Sequence, residues 1–188
     1  DRQSNAPIVR AGFSSDESPV LQLHGTAKHA DGGAIHLPDG EPYGLIKVGD
    51  QALEDVRGLG HPHIRGAVRR PTRQTGSGGN RLVYCLQKDH AGIDLVCHSD
   101  GRLRLAVNEW PDRVNNDSSP GQLVIGKWTF FAVTYDVNKA TDNVAWYFSS
   151  PGAEPSTNAE IKLDHRTTYN VGPVATDIGP LALGNFND

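Results

Sequence analysis

Trp110 stands in the string Asn108-Glu109-Trp110-Pro111-Asp112, among amide and carboxylate groups and outside any apolar run. An indole in such a setting can stack on a sugar face while its polar neighbours take the hydroxyls. Trp110, Asn108, Glu109 and Asp112 are therefore the candidate carbohydrate site; a plug under a loop is the other reading of Trp110. A second cluster, Asp136-Val137-Asn138-Lys139-Ala140-Thr141-Asp142-Asn143, gathers hard oxygen groups in one turn. Calcium takes roughly six to eight oxygens. Asp136, Asn138, Asp142 and Asn143 are its candidate ligands, and Ca2+ is the one candidate cofactor. A polar turn closed by Asx hydrogen bonds is the alternative. His61-Pro62-His63 offers two close imidazoles but no assigned third ligand.

Other chemistry is poorly provided for. Glycoside hydrolysis needs two carboxylates about 5–9 Å apart across a cleft. The glutamates are Glu17, Glu41, Glu54, Glu109, Glu154 and Glu160, and none is closely paired. Glu160, Lys162 and Asp164 share one strand face that reads as solvated. A nucleophile elbow, a phosphate-binding glycine loop and the HExxH zinc motif are all absent. No catalytic residue is assigned.

Cys85 and Cys97 lie on the two arms of one expected hairpin. Facing each other, they would form a disulfide worth about 3 kcal/mol by loop entropy and point to an oxidising location. Two buried free thiols are the alternative. Asn116-Asp117-Ser118 is a glycosylation sequon.

The elements that must position these groups are strands. Short β-rich runs occur at 20–24, 32–37, 43–48, 81–87, 93–98, 102–107, 122–125, 128–136, 143–149, 159–163 and 180–183. Turn residues separate them, in keeping with 21 glycines and 12 prolines among 188 residues. The one helix candidate, 50–57, is two turns long. Without crossover helices, parallel pairing is disfavoured, and an antiparallel two-sheet β-sandwich or jelly roll is expected, as one domain over 1–188. Hairpins are placed at 93–98/102–107 around Asp100-Gly101, at 128–136/143–149 and at 81–87/93–98. In 128–136 both faces are mostly apolar, which predicts a central strand with Trp128, like Trp146, in the core. The Arg-rich stretch 57–80 reads as a surface loop, with 64–68 a further strand candidate and contact with an anion or acidic sugar its functional alternative. A net charge of −4 argues against a nucleic-acid partner. No apolar stretch is long enough for a membrane-spanning helix.

Several strings resemble the LamG-like jelly-roll branch of the concanavalin A-like lectin/glucanase superfamily. They are Ile93-Asp94-Leu95-Val96, DGRLRLAVN at 100–108, WTFFAVTYD at 128–136, NVAWYF at 143–148 and PLALGN at 180–185. The resemblance implies a concanavalin A-like sandwich, often with calcium at its rim. It also implies a last strand beyond Asp188 that pairs near the first. A sandwich lacking that strand would leave an open edge for a neighbouring chain or a supplied segment. Hydrolytic members carry Glu-x-Asp-x-x-Glu or Glu-x-Asp-x-Glu on one strand, and neither pattern occurs here. Lyases on such scaffolds use His with Tyr or Arg, for which Tyr84, His98 and the Arg-rich stretch would serve.

The leading expectation is a non-catalytic glycan- or protein-recognition (adhesion) domain of an exported protein, secreted or on the cell surface. A polysaccharide-degrading lyase or hydrolase is the alternative. A purely structural module is the second alternative.

Overall fold

The computed structural model describes residues 21–30, 34–37, 43–46, 56–70, 80–85, 91–152 and 160–184. In chain order the strands are β1 (Leu21–His24), β2 (Lys28–Ala30), β3 (Ala34–His36), β4 (Tyr43–Ile46), β5 (His63–Arg69) and β6 (Asn80–Tyr84). There follow β7 (Ile93–Cys97), β8 (Leu103–Val107), β9 (Trp128–Tyr135), β10 (Val144–Ser149), β11 (Ile161–Thr167) and β12 (Ala182–Gly184). One 3-10 turn, Pro111–Arg113, follows β8. Pairing is antiparallel throughout. A six-stranded sheet runs β1-β4-β12-β6-β7-β8, a four-stranded sheet runs β11-β10-β9-β5, and β2 pairs with β3. The protein is an all-β sandwich. Among the described residues no helix is long and apolar enough to cross a membrane.

Side-chain alternation builds the core. Thr129, Phe131, Val133 and Tyr135 of β9 are buried, whereas Trp128, Phe130, Ala132 and Thr134 are half-buried on the other side. Phe131, Val133 and Tyr135 join Val144, Trp146 and Phe148 of β10 against Leu95, Leu103, Leu105 and Val107 of the other sheet. Full burial of one such side chain stabilises by roughly 1.5–3 kcal/mol. Trp146 is the core tryptophan foreseen, and its indole N–H has no hydrogen-bond partner. Trp128 is not in the core: it lies on the outer face of the four-stranded sheet, beneath Arg69.

The β7–β8 hairpin turns at Asp100-Gly101 as the sequence requires. Gly101 N–H donates to the His98 carbonyl, and Asp100 Oδ1 accepts the Arg102 N–H. Gly101 adopts φ 84°, and a Cβ there would lie 2.7 Å from the Leu123 carbonyl oxygen.

Three expectations are corrected. Residues 122–125 form no strand; Leu123 is tucked into the core while Val124 and Ile125 stay exposed. The Arg-rich stretch is not all loop, because β5 takes 63–69 and pairs with β9 over its full length. The run at 159–163 does not end at 163, since β11 covers Ile161–Thr167. Beside these, β12 lies between β4 and β6, and among the described residues β1 is the outer strand, the edge at which the resemblance expects a further strand. The expected helix falls at 50–55 outside the described residues.

Gly101→Ala should lower unfolding free energy by ~3 kcal/mol, combining positive-φ strain with a backbone clash. Urea denaturation measures it, and an unchanged midpoint would show that the turn can reshape at little cost.

Candidate functional site

The residues expected to hold sugar are divided by the fold. Trp110 precedes the 3-10 turn and packs against a small cluster of Tyr84 and Ala182. The Arg81 guanidinium stacks 4.6 Å from the Tyr84 ring centroid and 5.9 Å from that of Trp110. Its Nε donates to Asp94 Oδ2 at 2.9 Å. Asp94 is wholly buried, its Oδ1 lacks a partner, and burial pushes its pKa up from 3.8 to about 6 against the pull of Arg81. This face of the six-stranded sheet is closed at Asp94, so no ligand reaches that carboxylate.

Asn108 is structural. It adopts φ 57°, its Oδ1 accepts the Gly92 and Ala175 N–H groups, and its Nδ2 donates to the Pro173 carbonyl. Glu109 accepts the Tyr169 hydroxyl at 3.2 Å. Asp112 is exposed in the 3-10 turn. Tyr84 lies opposite Asp94, four residues along β7 from His98, so the two residues a lyase would need stand ~13 Å apart.

Three of the four expected calcium ligands, Asp136, Asn138 and Asn143, are likewise engaged. Asp136 Oδ1 accepts the Asn138 N–H and sits 3.0 Å from His61 Nδ1. Asn138 Nδ2 donates to His61 Nε2, which leaves Nδ1 carrying the proton toward Asp136. Asp142 turns the chain at φ 50°. Asn143 is buried, with its amide exchanging hydrogen bonds with the Tyr169 backbone. These are the bonds of the polar-turn alternative. Among the described residues no group of three or more His, Cys, Asp or Glu is arranged to hold a metal ion.

The expected disulfide is overturned. Tyr84 pairs with Asp94 and Asn80 with Cys97, across a bulge between Arg81 and Val83. Cys85 therefore meets Ile93, whose carbonyl accepts its N–H, and Cys97 lies four residues, ~13 Å, further along β7. A disulfide needs Cα atoms within about 7 Å. Neither cysteine is disulfide-bonded, both are buried, and burial raises each thiol to about 11. The sequon is also closed to modification in the folded chain. Asn116 is buried, its Nδ2 donates to the Leu105 carbonyl, and its Oδ1 accepts the Thr167 hydroxyl.

One grouping was missed in the sequence. Asp164 accepts the Ser119 N–H at 2.8 Å, the Gln122 side chain at 3.0 Å and His165 Nδ1 at 2.9 Å. Burial would raise its pKa, but the Ser119 and His165 hydrogen bonds prevail and hold it below the ordinary value. The residue types are those of a hydrolytic triad. The geometry is not, because Ser119 Oγ approaches the same imidazole nitrogen that serves Asp164. The group pins β11 to the 119–122 loop, so Asp164 is not on a solvated face.

The open surface is the outer face of the four-stranded sheet. Cross-strand register sets it out in rows. His63, Thr134, Ala145 and Arg166 form one; Arg65, Ala132, Tyr147 and Leu163 the next. Ala67, Phe130 and Ile161 lie below, then Arg69 beside Trp128. Arg65, Arg69, Arg166, Ile161 and Leu163 are exposed, and Trp128, Phe130 and Tyr147 half-buried. The Arg69 guanidinium lies 5.5 Å from the Trp128 ring centroid. The signal for this face was the alternation HIRGAVR, with its arginines four apart. No protein-family model matches the chain, and no curated protein matches it.

Two measurements follow. Intact mass after alkylation under native, unreduced conditions should show no added label. Denaturation without reductant should expose two thiols, and a mass two hydrogens short would restore the disulfide. Asp94 binds its proton more tightly folded than unfolded, so its contribution to stability is present below about pH 4 and lost as pH rises toward 6. The stability of Asp94→Asn relative to wild type should therefore rise between pH 4 and 6 in parallel urea titrations. A flat difference would show that the Arg81 pair compensates burial fully.

Proposed function

We propose that this chain is a non-catalytic recognition domain of the LamG-like jelly-roll kind its sequence resembles, and that it binds glycan on the outer face of the four-stranded sheet. The observation that carries this reading is the pair of half-buried rings, Phe130 and Tyr147, on an open face with exposed arginines, one of them seated on Trp128. A pyranose offers an apolar C–H face to such rings while its hydroxyls stay hydrated. Export, to the medium or the cell surface, rests on the resemblance alone, since the cysteines form no disulfide.

Recognition is favoured over catalysis by what the carboxylates do. Asp94 pairs with Arg81, Asp117 with Arg104, Glu109 with Tyr169, and Asp164 with Ser119 and Gln122. Each is held by a structural partner.

The test is a panel of immobilised polysaccharides run beside a depolymerisation screen. We expect binding to at least one polymer without release of new chain ends, weakened about tenfold by Tyr147→Ala. Turnover of any polymer would overturn the non-catalytic reading. Binding indifferent to Tyr147→Ala and Phe130→Ala would remove it from this face.

A further inference from the structure

We infer that the outer face of the four-stranded sheet takes a carboxylated polysaccharide, a polyuronate chain lying across β5 and β9 with its carboxylates on Arg65 and Arg69. The inference rests on the glycan-recognition reading and adds the ligand's charge and its anchoring residues.

Charge is the first reason. Arg65 and Arg69 are exposed on the same side of β5, opposite Ala132 and Trp128, and stand ~13 Å apart. Arg166 adds a third guanidinium across the sheet, opposite Ala145. The cross-strand rows contain no Asp or Glu. Asp164, in the β11 bulge nearby, is occupied by Ser119 and Gln122. Arg70 behaves differently from its neighbour: it turns inward and donates to the Leu123 and Ser99 carbonyls. Among the described residues the two outward arginines make no fold contact that would explain them, apart from the seat of Arg69 on Trp128. That stacking holds the planar fork at the surface, where it can meet a planar carboxylate with two parallel hydrogen bonds.

Size and backbone chemistry choose the polymer. Four strands by about six residues span ~14 by ~20 Å, roughly 300 Å2. A stable protein interface needs ~800 Å2 per partner. A single extended chain fits the smaller area. A peptide on a sheet face would leave its N–H and C=O groups without sheet partners. A sugar chain has no such requirement, and Phe130 and Tyr147 suit its ring faces.

The test uses the full chain in calorimetric titrations, with chelator present. The probes are polygalacturonate, alginate, fully methyl-esterified galacturonan, heparin, poly-L-glutamate and a neutral β-glucan. We expect a polyuronate to bind best, with loss on esterification. Each arginine removed in Arg65→Ala and Arg69→Ala should weaken it about tenfold, and Arg69→Lys should restore little despite its charge. Circular dichroism should match wild type in every variant. Equal binding of the esterified or neutral polymer would overturn the inference and leave glycan recognition standing. Preference for heparin or poly-L-glutamate, or a double variant that binds as wild type, would also overturn it. Silence toward all polysaccharides would overturn both.

Discussion

The sandwich depends on how β8 is closed. This strand is the last of its sheet, yet every one of its residues is buried. A buried edge must have its backbone groups paired, and residues 116–118 supply the pairing. Leu105 N–H donates to the Asn116 carbonyl and Ser118 N–H to the Leu103 carbonyl. The side chains finish the ladder: Ser118 Oγ accepts the Leu103 N–H, and Asn116 Nδ2 reaches the Leu105 carbonyl. Arg104 lies within this closure, held by both oxygens of Asp117 and by the Pro111 carbonyl. Without Asp117 a guanidinium would be left buried and unpaired, which is far more costly than losing a surface ion pair.

Once that edge is sealed, the end of the sandwich is drawn in by asparagines and one tyrosine. Asn143 grips the Tyr169 backbone, and Asn108 gathers Gly92, Pro173 and Ala175. The Tyr169 hydroxyl accepts from the Val107 N–H and shares its one proton between the Val107 carbonyl and Glu109, and burial drives its pKa far above the ordinary value. Residues that look like free polar ligands in the sequence are thus the ties that hold loops 108–110 and 169–175 together. The two sheet faces that are left differ in kind. On the six-stranded sheet, Tyr84, Arg81 and Trp110 close over Asp94. On the four-stranded sheet the face stays open, and it is this face that the proposed recognition uses.

What the sequence determined by itself was local. Alternation of apolar and polar residues located most strands, and Asp100-Gly101 located the β7–β8 hairpin, because both signals act between near neighbours. The polar-turn character of 136–143 was legible for the same reason. Tertiary structure decided register, edge closure and face. The register of β6 on β7, with Tyr84 opposite Asp94, keeps Cys85 away from Cys97, and no pattern in the sequence announces that register. The sequon became an edge ladder, and Asp164 met Ser119 across 45 residues, because packing of one sheet on the other brought distant segments together. Whether Trp128 faced the core or the solvent was also undecidable from an apolar strand alone: both sides of β9 carry aromatic residues, and only its pairing with Arg69 on β5 shows which side the water is on.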